Sequence, residues 1–457
     1  MEFDLVVKGG RIVTHVDVFE GTIGIKDGKI AAIMAPGTDA GAGKVIDAKG
    51  LHVMPGCIDP HVHLALYIPM EEDMPALTSA CAAGGITTLI SFILDKRPLA
   101  ELWHDWRDPI DKCAHIDIAY HLAIMTQTHI DEIEKAVELG ITSFKFLMGY
   151  VGRAGDAINV LGATSQICLL GFEKVAKFDG VSMVHAEHVE LCYPLEDRYE
   201  KDAKGKSLQY LKDVRPKIAE HIDIYQASAI AEHVGSRVYF VHQGTGECVD
   251  IVAPFRARGN TIYLETCPHY LVLDDVGTGL KEPLMQKISP PIRSKEDQAK
   301  LWEGVMEGTI GHIGTDTTSN MHEQKVADGT IGGILLDWSA IEEMLPLMLS
   351  EGYHKGRLTL PQIVALTSYN TAQTFDLHQK GTIEVGKDAD IVIVDVNKKK
   401  HITPDVLHDG LDWNLYEGWD ITGWPVTTLV RGEVVFDDDK VVGRPGFGKY
   451  IPRKPRK

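Results

Sequence analysis

The chain has 457 residues, a length that suits one large domain with a smaller one beside it. Its 46 lysines and arginines against 65 acidic residues give a net charge of −19, which argues against sequence-independent nucleic-acid binding. A hydrophobic content of 44% excludes a disordered chain, and no apolar run reaches the roughly 18–20 residues that cross a bilayer. Seven cysteines without C-x-x-C spacing, and an acidic start without a signal sequence, predict a cytoplasmic protein that binds no membrane.

The two ends of the chain are predicted to form short strands. Alternating apolar and polar residues occur at 4–13, 22–33, 381–395 and 426–436. We therefore predict one small β-sandwich domain that is assembled from residues 1–51 and 376–457. The basic tail at 449–457 is expected to be solvated surface or a contact between subunits.

Apolar, strand-like segments alternate with helix-length segments through the middle of the chain. We predict eight strands, at residues 53–59, 86–92, 116–123, 141–147, 180–185, 237–242, 261–265 and 311–316. Strands that alternate with helices form right-handed βαβ units and a parallel sheet. Eight such units favour an α/β fold with a closed (β/α)8 TIM barrel over residues 52–375. An open, doubly wound sheet is the alternative.

Two histidines lie at the end of the first predicted barrel strand, in 58-IDPHVHL-64. His61 and His63 are two residues apart, so both side chains face the same way in an extended strand. Two imidazoles in this arrangement can bind one metal ion, although H-x-H alone is a weak indication. Asp59 shares their face, where it is expected to support a ligand.

Lys145 lies inside the apolar run 142-TSFKFLMGY-150. A buried ammonium without a partner is costly, so one interpretation is a side chain that reaches the rim or pairs with a carboxylate. The other is a neutral amine, its pKa lowered by burial, that captures CO2 as a carbamate. A carbamate can bridge two divalent cations. The sequence alone leaves both interpretations open.

Three later strands each end in one further candidate ligand. These are His185 in 183-MVHAEH-188, His242 in 239-YFVHQG-244 and Asp316 in 311-GHIGTD-316. A lone histidine in such a position is more often simply packed, but the active sites of these barrels lie at the carboxyl-terminal ends of the strands. Together with the H-x-H pair and Lys145, these residues predict a two-metal hydrolytic site.

The motifs resemble the amidohydrolase superfamily, and specifically its hydantoinase/dihydropyrimidinase family. The resemblance extends from about residue 3 to residue 450 and is strongest in 55-PGCIDPHVHL-64, 143-SFKFLMGY-150, 265-ETCPHYL-271, 289-SPPIR-293 and 381-GTIEVGKDADIVIVD-395. It implies two divalent metal ions, usually zinc, bridged by N6-carboxylated Lys145. By the same resemblance, one ion is held by Lys145 with His61, His63 and Asp316, and the other by Lys145 with His185 and His242.

The resemblance also implies roles in catalysis and binding. Tyr150 matches the tyrosine that stabilises the oxyanion, and Ser289 matches the residue whose backbone contacts the cyclic amide. Asp316 is implied to carry the proton from the nucleophile to the leaving nitrogen. The implied partners are a small cyclic-amide substrate and, because the family tends to form homotetramers, further copies of the chain.

The implied reaction is hydrolytic opening of a hydantoin, a dihydropyrimidine or a related cyclic imide or ureide. Some positions depart from the family pattern, such as Thr317 where a histidine often follows the aspartate. The asparagine that binds the ring amide in the family aligns with Asp328, which can only accept hydrogen bonds when ionised. Leu64 and Tyr67, in the loop after the first strand, are predicted to line an apolar pocket for the substituent.

Other functions remain open at this stage. An allantoinase or another cyclic-amide hydrolase would share the same metal site. A dihydroorotase is disfavoured, because it recognises a carboxylate with an arginine two residues after H-x-H, where this chain has Ala65. A rival of another class is a non-catalytic scaffold like the dihydropyrimidinase-related proteins of neurons, which have lost metal ligands that this chain retains.

Overall fold

The strands form three sheets in a computed structural model that describes residues 2–455. In chain order they are β1 (Phe3–Lys8), β2 (Arg11–Val13), β3 (Val18–Glu20), β4 (Thr22–Lys26), β5 (Lys29–Met34), β6 (Ala42–Asp47), β7 (His52–Pro55), β8 (Cys57–His63), β9 (Ile86–Ile93), β10 (Asp117–Ala123), β11 (Ser143–Leu147), β12 (Val181–His185), β13 (Arg237–Phe240), β14 (Ile262–Thr266), β15 (His312–Ile313), β16 (Thr317–Thr318), β17 (Ile391–His401), β18 (Asp420–Val430), β19 (Glu433–Asp437) and β20 (Lys440–Val441).

Most of the helices lie between the strands of the middle segment. They are α1 (Met70–Ala83), α2 (Leu99–Arg107), α3 (Ile110–Cys113), α4 (Gln127–Asp131), α5 (Ile133–Glu138), α6 (Arg153–Ala157), α7 (Ser165–Lys177), α8 (Val189–Arg198), α9 (Glu200–Ala203), α10 (Gln209–Val214), α11 (Lys217–Val234), α12 (Cys248–Ala257), α13 (Pro268–Val272), α14 (Lys295–Glu307), α15 (His322–Val326), α16 (Met344–Leu347), α17 (Leu360–Val364) and α18 (Asn370–Thr374). Within residues 2–455, no helix is both long enough and apolar enough to span a membrane.

A parallel sheet in the order β15-β14-β13-β12-β11-β10-β9-β8-β16 forms the barrel. Of its two outer strands, β15 lies within the predicted eighth strand at 311–316, and β16 follows directly after it. β15 pairs with β14, and β16 pairs with β8. The eighth strand therefore joins the seventh to the first and closes the sheet, so the predicted (β/α)8 barrel is confirmed. Every residue of β9 is buried, as expected for a parallel strand that is covered on both faces.

The other two sheets are built from the ends of the chain. One has the order β5-β4-β1-β6, and the other combines both ends in the order β20-β19-β18-β17-β7-β2-β3. β7 and β17 pair antiparallel, with Val53 opposite Ile393. Leu5, Ile23 and Ile391 belong to one buried cluster, so strands from both ends of the chain share this hydrophobic core.

The prediction of a first barrel strand at residues 53–59 was wrong at its start. The segment His52–Pro55 belongs to the seven-stranded sheet, and the barrel begins only at Cys57. Gly56 lies between the two strands, where its N–H donates to the carbonyl of Asp390 at 2.9 Å. Both strands are apolar, so hydrophobicity alone does not show where the chain passes from one sheet to the next.

The prediction for the basic tail was wrong for Arg453. Its side chain is buried at the amino-terminal end of the barrel, where Nη1 donates to Ser143 Oγ at 2.8 Å. The backbone of the tail also continues the sheet, since Ile451 N donates to the carbonyl of Ile118 at 2.8 Å. Lys454, the next residue, is exposed. A run of basic residues does not show which member turns inward.

A buried ion cluster connects the barrel to the sheets formed by the chain ends. Lys380 Nζ lies 2.7 Å from Asp117 Oδ2 and 2.6 Å from Asp390 Oδ2. Asp117 begins β10 of the barrel, and it also pairs with Arg431, which follows β18. All three members of the lysine cluster are buried. The cluster therefore joins residues that are far apart in the sequence.

We predict that Lys380→Ala lowers the free energy of unfolding by about 3–5 kcal/mol, because it takes the cation from buried Asp390 and leaves Asp117 paired with Arg431 alone. Chemical denaturation followed by tryptophan fluorescence measures the loss. The matched control is Lys281→Ala, which removes an exposed partner of Glu417 and should cost under about 1 kcal/mol. Equal losses in the two variants would show that the cluster contributes no more than a surface pair.

Candidate active site

The six predicted metal-binding residues lie together at the carboxyl-terminal end of the barrel. β8 carries two of them, β11 and β12 carry one each, and the other two follow β13 and β15 in the sequence. Their side chains are buried or nearly so: His61, His63, Lys145, His185, His242 and Asp316. The strands are parallel, so their ends meet at one mouth of the barrel.

Short distances connect five of these side chains. Asp316 Oδ1 lies 2.9 Å from His61 Nε2 and 3.1 Å from His63 Nε2. His242 Nε2 lies 2.7 Å from His185 Nδ1. A group of three possible ligand atoms, in which every atom lies within 4.8 Å of the others, comes from His61, His242 and Asp316. Imidazole nitrogens and a carboxylate oxygen at such spacing suit a divalent cation.

The donor atoms themselves fit a metal ion. His61 Nε2, His185 Nε2 and His242 Nδ1 are buried and make no hydrogen bond with any described residue. A buried polar atom without a partner costs free energy, and a cation at this position would provide one. Burial also lowers the pKa of His185 and of His242, which favours the neutral imidazole that binds metals.

Lys145 lies deep in the site and is 1% exposed. Its Nζ lies 4.3 Å from the centroid of the Phe92 ring. Burial lowers its pKa to about 8, against the opposing effect of Asp316 and Glu265. Among residues 2–455, no carboxylate forms an ion pair with this lysine, although Asp316 and Glu265 act on it through their charge. A buried amine with a lowered pKa is what the carbamate interpretation requires.

Glu265, at the end of β14, orients two of the ligands. Its Oε1 accepts a hydrogen bond from His61 Nδ1 at 2.6 Å and another from the backbone N–H of His242 at 2.9 Å. Tyr239 donates to its Oε2 at 2.7 Å. Since Nδ1 of His61 carries the proton, its Nε2 lone pair is free for a metal. Gly314 allows this approach, because a Cβ there would lie 2.8 Å from Glu265 Cδ.

Asp59 supports the same region, as the sequence predicted. Its Oδ1 accepts from the backbone N–H groups of His61 at 3.0 Å and of Thr315 at 3.1 Å. The carboxylate thereby joins β8 to the strand that carries Asp316. His242 and Asp316 themselves have φ values of 40° and 56°, which are uncommon for residues other than glycine. Such strained backbone is concentrated at functional sites.

A cavity of about 220 Å³ opens beside the candidate ligands. Tyr67, Tyr150 and Ser289 line it, together with apolar side chains such as Leu94 and Leu335. The ring of Tyr150 stands at an angle of 63° to the ring of His185, with centroids 5.0 Å apart. Three of the predicted substrate-binding residues are therefore close to the metal-binding residues.

The structure does not bring Leu64 and Asp328 to this cavity. Leu64 is 3% exposed and packs in the core of the barrel. Asp328 is exposed, and its Oδ1 accepts from the N–H and the hydroxyl of Thr330 at 2.9 and 2.7 Å. Asp328 is not among the residues that line the cavity, and its carboxylate closes a local turn beside it.

Sequence reasoning missed several polar residues at the cavity. Asp337 lines it and accepts from the Tyr67 hydroxyl at 2.7 Å. The Ser289 hydroxyl donates to Glu187 at 2.7 Å and lies 3.1 Å from Arg215 Nη1. Glu187 was detectable, because it lies two residues after His185 at the same strand end. Asp337 and Arg215 lie in irregular segments whose spacing carries no such information.

A closed barrel whose strand ends bring imidazoles, a buried lysine and an aspartate around one cavity defines a metal-dependent hydrolase barrel. The family model described as "Amidohydrolase family" matches residues 52–435. The chain belongs to the amidohydrolase superfamily and, within it, to the hydantoinase/dihydropyrimidinase family. The resemblance inferred from the motifs is thereby confirmed.

Similar proteins cover the whole chain. A D-hydantoinase of Geobacillus stearothermophilus is 35% identical over 98% of this chain and 96% of its own. An allantoinase of Rubrobacter xylanophilus is 31% identical over 98% and 97%. The solved structure of a dihydropyrimidinase from Brevibacillus agri has a TM-score of 0.90 at 30% identity and covers 99% of both chains.

We predict that Glu265→Gln weakens metal binding by about tenfold or more, because the uncharged amide makes His61 a poorer ligand. Titration of the metal-loaded protein with a competing chelator measures the affinity. The control is Glu138→Gln, at an exposed helix position, which should bind metal like the unaltered chain. Equal affinity in both variants would remove Glu265 from the support of the metal site.

Proposed function

We propose that this protein hydrolytically opens the ring of a hydantoin, a dihydropyrimidine or a related cyclic imide or ureide. The convergence of His61, Lys145 and Asp316 beside a cavity of about 220 Å³ is the observation that carries the proposal. The volume suits a small ring better than a polymer. The names of the similar proteins support the same reaction, hydrolysis of a cyclic amide.

We propose that the site holds two divalent cations, zinc by family resemblance, bridged by N6-carboxylated Lys145. One would be held by His61, His63, Lys145 and Asp316, and the other by Lys145, His185 and His242. Divalent cations in such a site lower the pKa of water and polarise the amide carbonyl. The lowered pKa of Lys145 supports the carbamate, since only the neutral amine reacts with CO2.

Asp316 and Tyr150 are the residues that we assign to the reaction. Asp316 lines the cavity, where its carboxylate can accept a proton from water and return it to the leaving nitrogen. The Tyr150 hydroxyl donates to the oxygen that becomes negative as the carbonyl is attacked. Burial raises the pKa of Tyr150, so the hydroxyl stays protonated and able to donate.

Ser289 is proposed to contact the ring amide through its backbone. Its hydroxyl is held by Glu187 and Arg215, and this keeps the segment in place at the edge of the cavity. Leu66, Leu94 and other apolar side chains line the remainder of the wall. A hydrophobic pocket discriminates between substituents by only about 1–3 kcal/mol of binding free energy per methylene. We therefore expect several 5-substituted rings to be accepted.

An allantoinase is the second candidate, and Asp337 is the observation that favours it. The carboxylate lines an otherwise apolar part of the cavity and would accept hydrogen bonds from the N–H groups of a ureido substituent. Hydrolysis assays on 5-alkyl hydantoins, dihydrouracil and allantoin distinguish the two. A higher kcat/KM for allantoin would favour the second candidate over the first.

We also propose the assembly and the location of the protein. A homotetramer is implied by the family resemblance, and sedimentation velocity measures it. A cytoplasmic location is supported by the cysteines, which are free thiols and mostly buried.

We predict that Lys145→Ala loses hydrolytic activity and binds less metal, because the bridging ligand is gone. Added acetate or propionate should restore part of both, since a small carboxylate can enter the vacated space. Mass spectrometry of the unaltered protein under native conditions should show the mass of one added CO2 per chain, and this addition should be missing in the variant.

The control for this variant is Lys177→Ala, which removes an exposed amine and should leave the activity unchanged. Full activity in Lys145→Ala would rule out the bridging carbamate. An absence of metal from the unaltered protein after gentle purification would favour the non-catalytic scaffold instead.

We predict that Tyr150→Phe lowers kcat by roughly 10²–10³-fold, because one donor to the developing oxyanion is removed. Metal content should stay unchanged, since the hydroxyl is not among the proposed ligands. Steady-state kinetics and metal analysis of the same sample test both parts. An unchanged kcat would remove Tyr150 from the mechanism.

A further inference from the structure

One side chain of the carboxyl-terminal tail, Arg453, is buried at the base of the barrel. Arg453 is 1% exposed, and it donates from Nη1 to Ser143 Oγ at 2.8 Å and from Nη2 to the carbonyl of Tyr120. Neither hydrogen-bond partner is a carboxylate, and the carboxylate of Asp376 acts on the guanidinium only through its charge. Burying a guanidinium in this way is costly. A residue kept at such a cost is expected to have a specific effect on its surroundings.

Ser143 connects Arg453 to a buried histidine. Ser143 Oγ lies 2.5 Å from His121 Nδ1, and His121 Nε2 lies 3.0 Å from the carbonyl oxygen of Pro60. A carbonyl can only accept, so Nε2 must carry a proton. Burial, with Arg453 nearby, lowers the pKa of His121 far below its usual value and excludes a doubly protonated ring. Nδ1 is therefore bare and accepts from the Ser143 hydroxyl.

The hydrogen bonds that connect Arg453, Ser143, His121 and Pro60 all point in one direction. A guanidinium can only donate, so Arg453 donates to Ser143, Ser143 donates to His121, and His121 donates to Pro60. Arg453 and the Pro60 carbonyl, at the two ends, cannot reverse this direction. If Arg453 were absent, the Ser143 hydroxyl would lose this donor and would be free to rotate away from His121, whose ring would then be held by Pro60 alone.

This series of hydrogen bonds ends at the peptide bond between Pro60 and His61, the first of the proposed metal ligands. The carbonyl of Pro60 belongs to the same peptide unit as the N–H of His61, which donates to Asp59 at 3.0 Å. Phe92 gives a second path, since its ring centroid lies 4.7 Å from that of His121 and 5.0 Å from that of His61. A change at His121 therefore reaches His61 through its backbone and through its ring.

We propose that Arg453 is a positioning residue for the metal site, which acts through Ser143 and His121 on the backbone and ring of His61. The proposal rests on the proposed metal-dependent function and extends it to a segment that contributes no ligand and lines no part of the cavity.

The contacts that dock the tail are separate from the Arg453 side chain. The Tyr450 hydroxyl donates to the carbonyl of Leu139 at 2.8 Å, and the backbone N–H of Arg453 donates to the carbonyl of Gly140 at 2.9 Å. A Cβ at Gly140 would lie 2.5 Å from Pro452, so glycine makes room for the tail. Substitution of Arg453 can therefore remove the hydrogen-bond chain while the tail stays docked.

The experiment measures cobalt(II) binding by competition with a chelator, together with the visible absorption spectrum of the cobalt-loaded protein. Arg453→Ala should weaken cobalt binding by about tenfold and should shift the absorption bands, because the geometry at His61 changes. Arg453→Lys, which can still donate to Ser143, should restore much of both. If Arg453→Ala does not fold, Arg453→Met keeps most of the volume and takes its place with the same expectations.

Two control variants separate positioning from docking. Lys454→Ala changes the exposed neighbour, and Tyr450→Phe removes a docking hydrogen bond without touching Ser143. Both should keep the affinity and the spectrum of the unaltered chain. The double variant that combines Arg453→Ala with Ser143→Ala should bind cobalt no more weakly than the single variant with the lower affinity. Both changes interrupt the same series of hydrogen bonds.

An unchanged affinity and spectrum in Arg453→Ala would overturn the proposal. An equal change in Tyr450→Phe would also overturn it, because docking of the tail would then be the cause. Additive losses in the double variant would show that Arg453 does not act through Ser143. If the unaltered chain itself bound no cobalt, the proposed function would fail first, and this outcome is distinct from normal binding that is insensitive to Arg453.

Discussion

The candidate site depends on closure of the barrel by a strand that is broken in the middle. β15 pairs with the seventh strand and β16 pairs with the first, while Asp316 lies between them with a φ of 56°. This arrangement places its carboxylate 2.9 Å from His61 on β8. In an open sheet, the first and eighth strands would lie at opposite edges. Their ligands would then be separated by the whole width of the sheet, and no single cation could reach both.

The interior of the barrel contains charged groups that would be destabilising without their hydrogen bonds. Glu265 and Asp59 are both fully buried. Burial raises the pKa of Asp59 to about 7, against the hydrogen bonds from Thr315 and His61 that favour its charged form. The hydrogen bond to Asp59 fixes the backbone of His61, and the one from Nδ1 to Glu265 fixes its tautomer. The hydrogen bonds that stabilise the buried carboxylates of Glu265 and Asp59 therefore also orient the proposed metal ligand His61.

The metal-binding residues could be predicted because each lies at the end of an apolar strand, and the ends of parallel strands meet. Residues in irregular segments could not, since loop conformation does not follow from spacing; Asp328 was placed in the cavity, whereas Asp337 lines it. The boundary between β7 and β8 was missed for a related reason, because a strand is equally apolar in either sheet. Arg453 was missed because burial of a basic residue depends on partners distant in the sequence.

The carboxyl-terminal end of the chain therefore supports a site whose proposed ligands all belong to the barrel. Lys380 and Asp390 connect β10 to the sheets formed by the chain ends, and the tail that follows those sheets returns to the base of the barrel. A metal site requires ligand positions that are accurate to a fraction of an ångström, and a strand end alone does not hold a side chain so closely. Glu265 and Asp59 hold His61 through its ring and its backbone N–H, and the series of hydrogen bonds from Arg453 reaches the neighbouring carbonyl of Pro60. The peptide bond before His61 is then held on both its N–H and its carbonyl side, which leaves the imidazole few alternatives.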